Sequence, residues 1–326
     1  MKIYRYAPLK PFNTFGIAAK ARRLVVIDDE DDLLISPLLG NNPWFILGAG
    51  SDVVFTRDFD GFVLTLAPDL RAAVDEGCRV TAWAGTRLDD LVQWTLDRGL
   101  YGLENLSAIP GTVGAAAVQN VGAYGAEAKD TIVEVRTVDL RTCEQRTYTA
   151  DECRFGYRTS RFKGQDAGRE LIVSVTFALH SEFVPNLTYK ALETLPHATA
   201  QELRSSIAAL RWQKLPRPEE HGSAGSFFKN PVVDEATCAR IKAAHPDMPE
   251  AHRTEGGYKL SAGWLIDKAG WKGRSMGRAG VWPQNALVLY NLGGCTGAEV
   301  VALAEAIQAD VRQKFGIDLD MEAIII

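Results

Sequence analysis

The passage Ile109-Pro110-Gly111-Thr112-Val113-Gly114, running on to Asn120-Val121-Gly122-Ala123-Tyr124-Gly125, constrains this chain more than any other. Its four glycines sit among small residues, so the backbone there either packs tightly on its own domain or lets a flat ligand come close. What flanks it alternates strand and helix patterns. Strands are predicted at residues 24–27, 44–47, 53–55 and 62–66, with an acidic helix start at 28–32. A further strand at 79–84 leads into a helix over 86–98, in which Leu88, Leu91, Val92, Thr95 and Leu96 share a face. Beyond the glycines come hairpin arms at 132–140 and 145–149 and a strand at 170–180. The region up to residue 182 is therefore expected to be α+β with several short strands.

After Pro185 the composition changes. A helix over 201–214 stops at Leu215-Pro216-Arg217-Pro218, a natural junction because a residue before proline avoids helical backbone. Further helices are expected at 236–244 and 263–269 and a strand at 286–290. A long helix follows, with Val300, Leu303, Ile307, Val311 and Phe315 on one stripe, and then a terminal strand over 318–326. Two domains are expected, 1–182 and 183–326.

The charge balance, 36 basic against 41 acidic residues, gives a net charge of −5 with the basic residues scattered. That excludes the basic footprint of a nucleic-acid binder, and an anionic ligand needs a local pocket. The five cysteines are odd in number and lack a C-x-x-C pair, which argues against a disulfide framework and a zinc or iron–sulfur site. The histidines have no ligand-like spacing, so no metal is assigned. The start, Met1-Lys2-Ile3-Tyr4-Arg5-Tyr6, lacks the apolar core of a signal peptide, and no apolar run is long enough to span a membrane. A cytoplasmic protein, expected to be monomeric, is the reading.

Four local features carry chemistry. Gly222-Ser223-Ala224-Gly225-Ser226-Phe227-Phe228-Lys229-Asn230-Pro231 puts the Ser226 hydroxyl on a pliable turn just before an apolar pair able to anchor it. Gly48-Ala49-Gly50-Ser51-Asp52 exposes backbone N–H groups and is either a tight strand connection or a pyrophosphate seat. It is not a Rossmann fingerprint, because Val53 stands where the third glycine belongs and a strand follows. Arg158, in Phe155-Gly156-Tyr157-Arg158, is either a solvated charge or a two-pronged partner for a carboxylate. Glu322 lies in the apolar tail Met321-Glu322-Ala323-Ile324-Ile325-Ile326, where burying a carboxylate is costly unless it is used.

Taken in order, these motifs resemble the UDP-N-acetylenolpyruvoylglucosamine reductase (MurB) family. The resemblance runs from Asn13-Thr14-Phe15-Gly16 to Glu322 and includes Gly102-Leu103-Glu104-Asn105-Leu106, Cys153-Arg154-Phe155-Gly156-Tyr157-Arg158 and Ala262-Gly263-Trp264-Leu265-Ile266-Asp267. Leu187-Thr188-Tyr189 and the insert around it look like the longer, type I branch. The resemblance implies an FAD-binding PCMH-type (vanillyl-alcohol-oxidase-like) domain followed by a smaller α+β substrate domain. It implies non-covalent FAD, NADPH as hydride donor and UDP-N-acetylglucosamine enolpyruvate as substrate, reduced in a ping-pong scheme.

Residue by residue, it implies catalytic roles for Arg158, Ser226 and Glu322. Arg158 and Glu322 would stabilise an enol-like intermediate, Glu322 as a proton-bearing donor favoured by burial in the Ile-rich tail. Ser226 would deliver a proton to carbon. FAD is expected at Gly48, Ala49, Gly50, Ser51 and Asp52, and at Ile109, Gly111, Thr112, Gly114, Asn120, Gly122, Ala123 and Tyr124. The nucleotide sugar is expected at Tyr189, Lys214, Asn230, Lys272 and Asn285. Three departures from the family pattern stand out. Asp52 replaces a frequent asparagine, Asn285 replaces a glutamine, and the 249–254 loop lacks a diphosphate-binding tyrosine, for which Tyr258 and Arg253 are the candidates. Two rivals remain: a flavin oxidase of the same fold, against which the Arg158, Ser226 and Glu322 set speaks, and a non-catalytic flavin or nucleotide-sugar sensor.

Overall fold

The computed structural model describes every residue except Glu76, Pro218, Glu219 and Glu255. The chain divides into two compact units. The first comprises Met1–Ala7, Ala21–Gly50 and Phe59–Arg211, and the second Pro8–Lys20, Ser51–Asp58 and Trp212–Ile326.

In the first unit the apolar run Leu24-Val25-Val26-Ile27 lies in the strand Lys20–Ile27, paired in parallel with Phe59–Leu66, which in turn pairs in parallel with Trp44–Ile46. A second sheet is antiparallel, in the order Gln145–Thr149, Ile132–Asp139, Glu170–Ala178, Arg79–Trp83, Ala72–Val74. Its central strand Glu170–Ala178 is buried along all but its last residue. Both of its faces are covered, so Glu170, Ser174 and Thr176 are buried along with its apolar residues. Leu171 and Val173 join Val25, Ile27, Phe62 and Leu64 in one core. Ile172, Val175 and Phe177 pack in a second core with Leu88, Leu91 and Val92 of the helix Leu88–Leu96 and with Val113, Ala116 and Ala117 of the helix Val113–Gln119. This last helix was not predicted. Gly114 lowers its propensity, and only packing reveals why it forms: a Cβ at Gly114 would lie 2.8 Å from that of Ala84.

The first unit runs past the boundary expected at residue 182. Leu192, Leu203 and Ile207 are buried together, with Tyr124, Phe183, Leu187, Tyr189, Leu195 and Leu210 packed against them. Arg204, in the helix Ala200–Lys214, grips Asp89 through both nitrogens, Nη1 to Oδ1 at 2.5 Å and Nη2 to Oδ2 at 3.0 Å. Tertiary contacts, not the change in composition, set the division after Arg211. Of the expected junction, Pro218 lies outside the described residues.

In the second unit an antiparallel sheet runs Ser223–Ser226, Val288–Asn291, Ala279–Val281, Ser275–Met276. The long helix Gly297–Phe315 buries Val300, Leu303, Ile307, Val311 and Phe315, the predicted stripe. A capping box of Thr296 and Glu299 starts it, and Gly316 in the left-handed conformation ends it. The early Asn13-Thr14-Phe15-Gly16 motif belongs to this unit. Asn13 closes its own loop by donating to the carbonyls of Leu9 and Ile17, and Thr14 Oγ1 donates to the Ser223 carbonyl at 2.6 Å. The expected strand over 318–326 is only Ile324–Ile325, paired in parallel with Val53–Val54.

A polar network sits at the end of the strand Ile132–Asp139. Asp139, with a fully buried side chain, accepts from the backbone N–H groups of Arg141 and Thr142 and from Arg169 Nε at 2.7 Å. Burial would push its pKa up, but those hydrogen bonds and the Arg169 charge prevail and hold it below the usual aspartate value. A depressed carboxyl contributes stability that is present above its unfolded pKa and lost as pH falls through the folded one. Urea titrations from pH 6 to pH 3 should therefore show stability falling towards the acid end, and Asp139→Asn should flatten part of that slope. An unchanged slope in the variant would show that Asp139 is not a source of it.

Candidate active site

Arg158 is held rather than solvated. Its backbone has φ +54°, a left-handed conformation that costs a non-glycine residue free energy and persists only where surroundings enforce it. The guanidinium supplies the enforcement. Nη2 donates to the Gly122 carbonyl at 2.6 Å, and Nη1 lies 3.9 Å from Glu127. Gly122 must be glycine, since a Cβ there would sit 2.8 Å from the Ala126 carbonyl oxygen and 3.1 Å from Arg158 Nη1. Asn120 completes the brace. It ends the helix Val113–Gln119 at φ +45°, donates from Nδ2 to the Gly156 carbonyl at 2.9 Å, and accepts the Lys129 N–H on Oδ1. The loop bearing Arg158 and the segment 120–127 are one hydrogen-bonded piece.

The turns expected to seat the cofactor lie in the same unit apart from Ser51 and Asp52. A Cβ on Gly48 would be 3.1 Å from Thr112 Oγ1 and 3.0 Å from the Ala115 Cβ, so the first turn abuts the start of the helix that Thr112 caps. Gly111 has φ +147° and its carbonyl accepts from Leu88, while Ile109 is buried. Ala123 pairs with Ala126. Tyr124, at φ +50°, meets Tyr189 edge-on at 5.2 Å. Asn105, from the Gly102–Leu106 motif, donates to the carbonyls of Tyr124 and Asn186 and fixes that approach. Gly50 belongs to the first unit and Ser51 and Asp52 to the second.

One residue escaped the sequence analysis. Arg211 has its Nε buried with no acceptor among the described residues, and its charge faces Tyr124 and Asp89. Burial pushes its pKa down from the ordinary guanidinium value. The available signal was its place four residues after Ile207 on the apolar stripe of Ala200–Lys214, where an arginine is out of character. In the same unit, Gly48 and Gly122 leave little room for a side chain, and a buried guanidinium faces Tyr124; both features suit an anionic, flat cofactor, so the residues present fit FAD.

In the second unit the structure brings Ser226 and Glu322 together. The expected turn is corrected, because Ser226 ends the strand Ser223–Ser226 opposite Val288; Phe227 and Phe228, 0% and 1% exposed, anchor it as expected. The Glu322 N–H donates to the Phe227 carbonyl at 2.8 Å, Phe228 bridges to Met321, and the Lys229 N–H donates to the Asp320 carbonyl. Ser226 is exposed and Glu322 half-buried. The expected burial of Glu322 by its tail is corrected: Ile324 and Ile325 are 38% and 37% exposed, because the final strand is short and pairs along one edge. Arg158 lies in the first unit, as do Tyr189 and Tyr124.

Among the other residues expected at the substrate, Asn230 Oδ1 accepts from the Ala262 N–H at 2.9 Å, which ties the Ser226 segment to the start of the helix Ala262–Ala269. Lys272 sits 3.4 Å from Asp267, an exposed pair of little strength. Asn285 Oδ1 accepts from Leu287 N–H, and Lys214 ends the helix Ala200–Lys214. In the hairpin of His252–Thr254 and Gly257–Lys259, Arg253 stands directly opposite Tyr258, so the two candidates for the missing tyrosine are cross-strand neighbours. No cluster of metal-ligating side chains occurs among the described residues, and no helix there is long and apolar enough to cross a membrane.

This architecture, a flavin-binding domain of the PCMH (vanillyl-alcohol-oxidase-like) type with a smaller α+β domain, defines a class of flavoproteins, and residues 40–147 match the FAD binding domain family. Residues 217–326 match the C-terminal domain of UDP-N-acetylenolpyruvoylglucosamine reductase. Similarity to curated relatives extends over the whole chain. The UDP-N-acetylenolpyruvoylglucosamine reductase of Burkholderia cenocepacia is 46% identical over 97% of this chain and 95% of its own length. That of Pseudomonas aeruginosa is 44% identical over 99% of this chain and 98% of its own. The crystal structure of the Thermus caldophilus reductase superposes with a TM-score of 0.71 at 25% identity, covering 100% of this chain and 99% of that one. The chain belongs to the UDP-N-acetylenolpyruvoylglucosamine reductase family.

The orphaned Arg211 N–H sets a test. Arg211→Met should stabilise the flavin-free protein by about 1–3 kcal/mol, the cost of a buried unsatisfied donor, while lowering flavin retention on a desalting column. A variant that unfolds earlier and holds flavin as well as the parent would make Arg211 purely structural.

Proposed function

We propose that the chain reduces the enolpyruvyl group of UDP-N-acetylglucosamine enolpyruvate to give UDP-N-acetylmuramate, a step in peptidoglycan precursor synthesis in the cytoplasm. NADPH is the hydride donor, FAD is held without a covalent link, and the enzyme acts as a monomer. The observation that carries this reading is the pairing of full-length family membership with the Ser226 segment seated against Glu322. When bound, the flavin supplies hydride chemistry, accepting hydride from NADPH and giving it to C3 of the substrate.

This chain's residues have the remaining work. Hydride arriving at C3 leaves an electron pair on C2 that spreads into the adjacent carboxylate. Arg158, its guanidinium already oriented by Gly122, is assigned to the carboxylate, where a preorganised charge costs no reorganisation. Glu322, when it carries a proton, would donate a hydrogen bond to the same enol-like oxygen. The Ser226 hydroxyl gives its proton to C2, forming the C–H bond and regaining a proton from solvent, so NADPH and one proton are consumed per product.

FAD is assigned to the first unit, through Gly48, Ala49, Gly50, the 109–124 residues and Arg211, with Ser51 and Asp52 continuing the first turn. The nucleotide sugar is assigned to Tyr189, Lys214, Asn230, Lys272 and Asn285. Lys214 and Lys272 suit phosphate as point charges, and Asn230, its oxygen committed to Ala262, would contribute N–H donors.

Anaerobic mixing separates the two half-reactions. NADPH should bleach the flavin, and the enolpyruvyl nucleotide should then restore its colour; a flavin that bleaches but is not recoloured by that substrate would overturn the reading. Ser226→Ala should bleach normally and recolour about 10²–10⁴-fold more slowly, the range for losing a general acid. Glu322→Gln should likewise slow only recolouring, and normal turnover would remove Glu322 from the mechanism.

A further inference from the structure

Ser226 ends the strand Ser223–Ser226, whose pairing with Val288–Asn291 is irregular between Ser223 and Ser226. The residue is exposed, and Gly225, at φ +66°, would have nothing within 4 Å of a Cβ. An irregular strand end of that kind is only as well placed as the segments that flank it. On its C-terminal side Phe227 and Phe228 are buried. On its N-terminal side, five residues before Ser226, His221 enters a cluster of three aromatic rings. Its imidazole centroid lies 5.6 Å from Trp282 and 5.3 Å from Tyr290, and the latter two rings are 5.1 Å apart at 81°. These are the tilted and edge-on geometries that aromatic quadrupoles favour.

The cluster is wired to the Ser226 strand through the sheet. Tyr290 pairs with Ser223 on one side and Gly280 on the other, and a Cβ at Gly280 would lie 2.6 Å from the Tyr290 ring. Glycine at 280 thus lets the tyrosine ring lie down across the neighbouring strand. Val288, the register partner of Ser226, has a carbonyl that accepts from the Trp282 N–H at 2.8 Å. The Trp282 indole Nε1 is buried with no acceptor among the described residues. The ring is therefore kept in place by packing and not by its own hydrogen bond, although indole N–H groups in interiors usually find a partner.

We propose that His221, Trp282 and Tyr290 act as an aromatic clamp on the N-terminal side of that strand end, as positioning residues that aim the Ser226 hydroxyl for proton delivery. The proposal rests on the assignment of Ser226 as proton donor. Loss of the clamp lets the strand end at Ser226 wander, so hydride uptake from NADPH continues and protonation of C2 falters.

The holoenzyme variants His221→Ala, His221→Phe, Trp282→Leu and Ser226→Ala test this in the two anaerobic half-reactions, with recolouring measured in H2O and D2O. His221→Ala should slow recolouring about 10- to 100-fold, as for a small misplacement of a reacting group, leave bleaching unchanged and enlarge the solvent isotope effect. His221→Phe, which keeps a ring, should restore most of the rate, and Trp282→Leu, distant in sequence, should reproduce the His221→Ala pattern. Recolouring at the parent rate in both His221→Ala and Trp282→Leu, or equal slowing of both half-reactions without rescue by phenylalanine, would overturn the clamp. If Ser226→Ala itself recolours normally, it is the donor assignment that fails. Slow recolouring in Ser226→Ala alongside unaffected clamp variants would reject the clamp alone.

Discussion

The hydrogen bond from the Glu322 N–H to the Phe227 carbonyl, 2.8 Å long, is the constraint on which the proposed chemistry of Ser226 and Glu322 depends. It joins the strand end at residue 226 to a tail nearly a hundred residues later, and it does so at backbone level, where side-chain rotation cannot loosen it. The bridge of Phe228 to Met321 and the bond from Lys229 to Asp320 extend the seam along both segments. Two buried phenylalanines keep water away from these bonds, which strengthens them in a low-dielectric setting. Ser226 remains exposed beside this seam, as its proposed role in proton delivery requires.

The first unit solves a comparable problem with strain. Arg158, Tyr124 and Asn120 all adopt positive φ without being glycine. Each is compensated by hydrogen bonds or ring contacts that draw on the others: Asn120 to Gly156, Arg158 to Gly122, and Tyr124 against Tyr189. Free energy spent on backbone conformation yields a guanidinium with one orientation. The glycines at 114 and 122 are there because Ala84, Ala126 and Arg158 already occupy the space a side chain would take.

Much of this was legible beforehand. The strands around 24–27, 62–66 and 170–180 carry β-branched and aromatic runs that have few alternatives, and the stripe Val300, Leu303, Ile307, Val311, Phe315 specifies its helix unaided. The anchor role of Phe227 and Phe228 followed from two large apolar residues beside a glycine turn. The helix Val113–Gln119 did not, because alanine and glycine carry no amphipathic signal and its reason for forming is a close approach to Ala84. Nor did the role of Arg211, whose significance is an unsatisfied N–H that exists only once the helix is packed. The Ile-rich tail misled in the other direction, since hydrophobicity alone does not place Ile324 and Ile325 inside.

The amino-acid sequence alone determined the α+β class, the strands and long helices, the glycine turns and, through its ordered motifs, the family. Local propensity and periodicity act over a few residues, and these features are local. Tertiary structure decided that residues 183–211 belong with the first unit, that the Asn13 motif and residues 51–58 belong with the second, and that Ser226 and Glu322 are neighbours. Those outcomes come from contacts between segments far apart in the chain, such as Arg204 with Asp89, Thr14 with Ser223 and Phe227 with Glu322. Burial and backbone pairing set them, and neither leaves a periodic mark in the residues that meet.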